Sequence, residues 1–354
     1  MENQQRTEIS ALGEFGLIKH LTEKIELQNP SSILGVGDDA GVIEYDHGMQ
    51  TILTTDLLVE GIHFDLMYFP LKHLGYKSVV VNVSDVYAMN ATPRQITVSL
   101  ALSNRFSVEA IDELYEGIFF GCKKYGVDLV GGDTTSSLKG LIISVTAIGE
   151  CRPEDVVTRS GAQENDLLCV SGDLGGAYLG LQLLEREKRI YLEDPNIQPN
   201  LEGQSYLVGR QLKPEARRDI IEFLRDLKIK PTSMIDISDG LSSEILHLCE
   251  ASDVGCRLYE EKIPVAEEAY QQALRFNLDA TTAALNGGED YELLFTISPG
   301  DFEKVKNSPD ISVIGSITAK EKGAMLITKG NNIHPLIAQG WNAFSAGSPT
   351  DKSS

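Results

Sequence analysis

The sequence is poor in positive charge. Its 354 residues carry 31 lysines and arginines against 52 aspartates and glutamates, a formal net charge of −21. With no basic surplus to displace phosphate counterions, the balance argues against nonspecific nucleic-acid binding and equally against attraction to anionic membrane surfaces. Cysteine is scarce and its five positions form no pattern: Cys122, Cys151, Cys169, Cys249 and Cys256 include no C-x-x-C pair. That argues against a disulfide framework or a zinc site and reads as the reduced thiols of a cytoplasmic protein. No apolar stretch approaches the roughly 18 residues that span a bilayer. Met1-Glu2-Asn3-Gln4-Gln5 opens no signal-peptide apolar region. Proline, at 13 residues, is too low for a proline-rich repeat.

Several phosphate and nucleotide devices are missing as well. Gly-Lys-Ser/Thr occurs nowhere, so there is no Walker A loop, and the protein-kinase His-Arg-Asp and Asp-Phe-Gly are absent. Gly35-x-Gly37 runs into two carboxylates and no helical pattern, which is wrong for a dinucleotide turn. Neither His-Glu-x-x-His nor Gly-x-Ser-x-Gly is present.

What remains is a chain with 42% hydrophobic and 23% charged residues, enough for a full core. The length suits two domains or one large one. Extended segments are expected over 33–42 and 51–64, joined by a turn at Asp46-His47-Gly48. Residues 71–90 mix Val79, Val80, Val81 and Val83 with helical spacing and read as a buried helix. Ile96–Leu100 is strand-like. Ile111, Leu114, Tyr115, Ile118, Phe119 and Cys122 recur at helical spacing over 108–125, and Gly126 supplies the stop. Asp128–Val130 should be a strand ending in a Gly-Gly-Asp turn, followed by a strand over 141–148.

A boundary falls near 151–155, giving domains 1–150 and 151–345 with a frayed tail at 346–354. Beyond the boundary, strands are expected at 167–171, 233–237, 257–259, 291–297, 312–317 and 324–328. Helices are expected at 176–188, at 241–250, and from Pro214 to about Leu227. Residues 189–210 read as an irregular loop. Strands and helices repeated in this way mean an α/β, or α+β layered, architecture.

Carboxylates recur where strands meet Gly-, Ser- or Thr-rich turns: Gly37-Asp38-Asp39, Thr54-Thr55-Asp56, Ser84-Asp85, Gly131-Gly132-Asp133, Asp236-Ile237-Ser238-Asp239-Gly240 and Gly287-Gly288-Glu289-Asp290. One such segment alone is ordinary turn chemistry. Six share one logic. Small residues let backbone N–H groups approach a phosphate, and carboxylates hold Mg²⁺ against its oxygens. Magnesium uses one or two carboxylates per ion, so this many suggests several ions.

These segments resemble the thiamine-monophosphate kinase family, of the superfamily of aminoimidazole ribonucleotide synthetase, selenophosphate synthetase and a hydrogenase maturation protein. The likeness runs from Gly13-Glu14-Phe15 to Trp341. Three stretches are the most specific: Leu58-Val59-Glu60-Gly61-Ile62-His63-Phe64, Asp236 to Leu241, and Gly287 to Leu293. Selenophosphate synthetases carry a reactive Cys or selenocysteine in an N-terminal glycine-rich loop, and no Cys precedes Cys122 here.

The resemblance implies a two-domain aminoimidazole ribonucleotide synthetase-like fold with mixed sheets covered by helices. It implies phosphorylation of thiamine phosphate by ATP, with several magnesium ions, in a cytoplasmic homodimer whose N-terminal domains pair. Metal positions fall on Asp39, Thr54, Thr55, Asp56, Asp85, Asp133, Asp236 and Asp239. ATP contacts fall on Tyr115, Gly132, Asp133, Arg159 and Ser238, and substrate contacts on His63, Glu289 and Trp341. Read without the resemblance, His63 is a packing or surface group, Arg159 a surface cation and Trp341 a core aromatic. Glu289 would merely terminate a strand. A superfamily enzyme acting on an amide substrate, or a non-catalytic nucleotide-binding regulator, remains open from the residues alone.

Overall fold

The structure, a computed structural model, describes residues 20–34, 42–46 and 48–339. The described chain divides into two compact units. One takes the chain up to Val157 together with Arg186–Asn200 and Leu212–Lys230; the other takes Thr158–Glu185, Leu201–Gln211 and the chain from Pro231. The first crossing lies beside the expected boundary, and two later segments then return to the first unit. No described helix is long and apolar enough to cross a membrane.

The first unit is built on a four-stranded sheet. Its strands are β3 (Gln50–Val59), β4 (Thr92–Leu102), β5 (Asp128–Ser136) and β6 (Ile142–Cys151), in the order β3-β6-β4-β5. Only the β4–β5 pair is parallel, so the sheet is mixed. A small antiparallel pair, β1 (Ser32–Leu34) and β2 (Val42–Ile43), stands beside it.

Alternation decides the faces. Ile96, Val98 and Leu100 of β4 and Ile143, Val145 and Ala147 of β6 are buried, while Thr97, Ser99, Ser144 and Thr146 between them are half-exposed. Helices α1 (Leu71–Ala88) and α2 (Val108–Tyr125) belong to the same unit. Helix α1 is buried almost all round, which is why its valines mimic a strand in the sequence. Helix α2 fits its expected bounds: Ser107 Oγ accepts the Ala110 N–H at 3.3 Å, and Gly126 closes the helix in the left-handed region at φ 68°.

Gly131-Gly132-Asp133 is no turn. β5 continues through it, paired with β4 from Asp128 to Ser136 after a one-residue register slip at Val130. A Cβ on Gly132 would lie 1.9 Å from the Val98 carbonyl oxygen. The glycine therefore serves a close strand approach rather than a reversal.

The second unit holds a seven-stranded sheet of β7 (Leu167–Ser171), β8 (Ser233–Asp236), β9 (Gly255–Tyr259), β10 (Leu293–Ile297), β11 (Ile311–Thr318), β12 (Ala324–Ile327) and β13 (Ile333–Pro335). Their order across the sheet is β13-β12-β9-β11-β7-β10-β8. Only β12–β9 is parallel. Leu168, Val170, Ile235, Leu294 and Ile314 of this sheet share one apolar cluster with Leu241, Ile245 and Leu248 of the helix Leu241–Ser252.

The helices outside the first unit's pair are α3 (Gly176–Glu193), α4 (Ser205–Leu212), α5 (Arg218–Asp226), α6 (Leu241–Ser252), α7 (Glu267–Arg275) and α8 (Ala280–Asn286). Residues 189–210 are therefore not an irregular loop, since α3 continues to Glu193 and α4 follows. Leu207 of α4 packs with Leu179 of α3 and with alanines of α7 and α8. Helix α5 starts at Arg218, four residues after Pro214. All five cysteines are free and buried.

Candidate active site

In the first unit, β3 and α1 bring three polar side chains together. Thr54 and Asp56 stand opposite Ala147 and Val145, buried residues of β6, and so share their face of the sheet. Thr54 Oγ1 donates to Asp85 Oδ2 of α1 at 2.5 Å. The Asp56 N–H donates to Asn82 Oδ1 at 3.1 Å, and Asn82 Nδ2 donates to the Ser78 carbonyl one turn back. Asn82 thus ties β3 to α1 beside the two carboxylates. Burial, and then the Asp85 charge, push the Asp56 carboxyl up to about 6. Two carboxylates and a hydroxyl are hard oxygen donors held in like-charge tension. That chemistry fits a magnesium ion. Among the described residues no third acidic, imidazole or thiol side chain joins this pair in a metal-holding group.

Thr55 does not join them. It faces the other way, donating to the Val145 carbonyl at 3.1 Å and accepting from Thr146 Oγ1. Asp133 is exposed on β5 opposite Ser99. Tyr115 is buried on α2 with the Phe119 ring edge-on at 5.8 Å; burial pushes its hydroxyl up to about 12, which keeps it a donor.

The strand expected to reach Phe64 ends at Val59, and His63 sits in the turns that follow. The Val59 N–H donates to His63 Nδ1 at 3.0 Å. With Nδ1 accepting, the neutral ring carries its proton on Nε2. The turn is pinned by Gly61 N–H to the Phe64 carbonyl at 2.8 Å, with Gly61 at φ 81°. Further along, Asp65 accepts the Met67 N–H and pairs with Lys188 Nζ at 2.6 Å.

In the second unit, two motif segments lie side by side. Glu289 N–H donates to the Ser238 carbonyl at 2.7 Å, Tyr291 N–H to the Ile237 carbonyl at 2.9 Å, and Ile237 N–H to the Glu292 carbonyl at 2.8 Å. A Cβ on Gly288 would lie 2.2 Å from the Ser238 oxygen, so only glycine allows this approach. Asp236 ends β8 and is buried. Burial raises the Asp239 carboxyl above its ordinary range; His247 opposes this, Glu289 adds to it, and the Arg159 cation opposes it. Ser238, Asp239 and Glu289 are therefore one neighbourhood, with exposed Arg159 within electrostatic reach.

Sequence reasoning missed Glu244. Its Oε1 accepts the Asp239 N–H at 2.9 Å, and burial pushes the carboxyl up to about 7. Its signal was the spacing Ser-Asp-Gly-x-x-x-Glu at a helix start. Asp39 and Trp341 lie outside the described residues.

A mixed N-terminal sheet with its helix pair, followed by a seven-stranded second sheet, is the architecture of one two-domain class. The AIR synthase related protein N-terminal domain matches residues 37–151, and the corresponding C-terminal domain matches 163–327. Within that class, thiamine-monophosphate kinase of Bacillus subtilis is 33% identical over 338 residues, covering 94% of this chain and all of that protein. The crystal structure of thiamine-monophosphate kinase from Stenotrophomonas maltophilia matches at TM-score 0.74 and 28% identity, over 89% of this chain and 95% of that one. AaThiL complexed with AMPPCP and TMP matches at TM-score 0.72 and 32% identity, over 97% and 100%. The chain belongs to the thiamine-monophosphate kinase family.

Proposed function

We propose that this chain transfers the γ-phosphoryl group of ATP directly to thiamine phosphate, giving thiamine diphosphate. The observation that carries the reading is the end-to-end likeness, at 32% identity, to a structure holding AMPPCP and TMP together. AMPPCP is ATP with carbon in place of the β–γ bridging oxygen, and TMP in a thiamine-monophosphate kinase is thiamine monophosphate.

The chemistry needs no general base. The nucleophile is a phosphate oxygen, already anionic at neutral pH, and the difficulty is bringing two polyanions into line. Magnesium ions, when bound, neutralise that repulsion and align the phosphates. Asp56, Asp85 and Thr54 would hold such ions, joined in this reading by Asp39, Asp133, Asp236 and Asp239; Thr55, whose hydroxyl is taken up on the other face of β3, leaves the expected set. Arg159, Ser238, Gly132 and Tyr115 hold ATP. His63 donates from Nε2 to the phosphate of thiamine phosphate, Glu289 accepts from the amino group of its pyrimidine, and Trp341 stacks on the ring. The active enzyme works in a reducing cytoplasm, which suits five buried free thiols.

Incubation with ATP, Mg²⁺ and thiamine phosphate is expected to yield thiamine diphosphate, with no phosphoryl label left on the protein and no product after EDTA. Turnover of a different acceptor without thiamine diphosphate would sink the reading.

We further propose a homodimer formed through the first unit's sheet. Leu53 and Leu57 of edge strand β3 are 67% and 53% exposed on its uncovered face, with Ile148 and Ser144 opposite them. Sedimentation should show twice the 38.7 kDa chain mass. Leu53→Glu should shift the protein toward monomer, and an unchanged sedimentation coefficient would place the interface elsewhere.

A further inference from the structure

Helix α4 lies in the segment that the sequence presents as a loop, and two consecutive residues of it reach the Gly287–Glu292 turn. Arg210 Nη1 donates to Glu292 Oε1 at 2.9 Å, and Arg210 Nη2 donates to the Asp173 carbonyl at 2.9 Å. The same Nη2 lies 3.4 Å from both the Asp290 carbonyl oxygen and Asp290 Oδ1. Gln211 Nε2 donates to Glu289 Oε2 at 2.7 Å. One helical turn earlier, the Tyr206 hydroxyl donates to Asp173 Oδ1. Asp290 and Glu292 are each 1% exposed.

The turn they hold is a costly one. Glu289 has φ 68° and Tyr291 φ 53°, two non-glycine residues in the left-handed region. Each such residue costs on the order of 1–2 kcal/mol. The turn persists because its buried carboxylates are tied down. Asp290 accepts the Gly175 N–H at 2.7 Å and the Ala177 N–H at 3.3 Å, and Glu292 Oε2 accepts from Ser171 Oγ at 2.5 Å. Arg210 supplies the positive charge these two buried carboxylates share, and its fork reaches three points that a lysine cannot reach at once. With Asp290 and Glu292 pinned inward, the intervening backbone leaves Glu289 half-exposed beside Ser238 and Asp239, with Gln211 setting its carboxylate.

We propose that α4 is a clamp on the substrate side of the site: Arg210 and Gln211 are positioning residues that aim the Glu289 carboxylate for thiamine phosphate. This rests on the reading of Glu289 as a substrate contact. The rival is that the network only balances buried charge, and the two differ in which kinetic constant moves.

The test compares Gln211→Leu, Arg210→Lys and Glu289→Gln, with both substrates varied. Gln211→Leu keeps the helix and removes one hydrogen bond to a charged group; Arg210→Lys keeps the charge and loses the fork. Each is expected to raise KM for thiamine phosphate about tenfold, a typical worth of such a bond. KM for ATP should stay within about twofold. On a Glu289→Gln background, Gln211→Leu should add little, the signature of two residues acting through one contact. If Arg210→Lys fails to fold, Gln211→Leu alone carries the comparison. A rise in KM with Glu289→Gln but none with Gln211→Leu overturns the clamp and leaves the substrate reading standing. An unchanged KM with Glu289→Gln overturns that reading and the clamp with it. Equal rises in both KM values, with a lowered melting temperature, make the network structural only and also overturn the proposal.

Discussion

Asp85→Asn is expected to lower kcat by about a hundred- to a thousandfold, the usual loss when one preorganised electrostatic element is removed from a phosphoryl-transfer site. At 1.36 kcal/mol per factor of ten, that is about 3–4 kcal/mol of transition-state stabilisation. Asparagine keeps the shape, and its carbonyl oxygen still accepts the Thr54 hydroxyl that now donates to Asp85 at 2.5 Å. What it removes is the charge. Two further consequences separate this account from simple damage. First, Asp56 loses one of the two causes that push its carboxyl up to about 6. Relief of like-charge repulsion should leave the melting temperature unchanged or slightly higher. Second, the magnesium concentration giving half-maximal rate should rise, because one donor charge is gone. Steady-state rates across a magnesium series, with thermal unfolding alongside, check all three. A kcat near that of the parent would show that Asp85 is not a metal-holding residue in turnover.

The parts of this architecture that were legible in the sequence have strong local causes. Helix α2 carries its own N-cap in Ser107 and its own stop in Gly126, so both ends could be read. The strands that carry Thr54, Asp56 and Asp236 were legible for the same reason, since alternation and small-residue turns are short-range patterns. Gly131-Gly132-Asp133 misled because glycine serves turns and close strand approaches equally, and only the Val98 carbonyl at 1.9 Å from an added Cβ distinguishes them. Helices α4, α7 and α8 span eight, nine and seven residues, too short to show a sustained period.

The site divides along the same line. Carboxylates in glycine-rich motifs announced themselves by recurring. Asn82, Glu244, Arg210 and Gln211 did not, because each is a single polar residue whose meaning lies in a partner it meets only after folding. The net charge of −21 at first argues against phosphate-bearing partners. The six matched aspartates are a small part of that acidity, and in the fold the Asp56–Asp85 pair is charged in a way that a cation relieves. A cation seated there would let an acidic protein take phosphate-bearing partners, as the proposed function requires.

Gly117→Ala is expected to destabilise the first unit by about 2 kcal/mol or more, although helix propensity alone predicts the reverse. Replacing a mid-helix glycine by alanine ordinarily gains up to about 1 kcal/mol. At Gly117, however, the new Cβ would lie 1.9 Å from the Lys72 carbonyl oxygen of α1, and at Gly75 it would lie 1.9 Å from the Leu114 carbonyl oxygen of α2. The two helices touch backbone to backbone at reciprocal glycines, and Val79 closes against Gly121 one turn further on. At Gly117 and Gly75 no side chain can swing away, since the obstructing atoms are main chain. A methyl group must therefore push the helices apart, and overpacking of this kind costs about 1–3 kcal/mol or more. Because α1 carries Asn82 and Asp85, the displacement should also loosen the Thr54–Asp85 contact. We expect a melting temperature lower by several degrees together with a reduced kcat, while KM for thiamine phosphate changes little. Gly209→Ala is the matched control: Gly209 lies inside α4 with nothing within 4 Å of its added Cβ, and there the propensity gain should appear as a small rise in melting temperature. Thermal unfolding of the two variants side by side decides the matter, and a rise for Gly117→Ala would mean that α1 and α2 do not cross this closely.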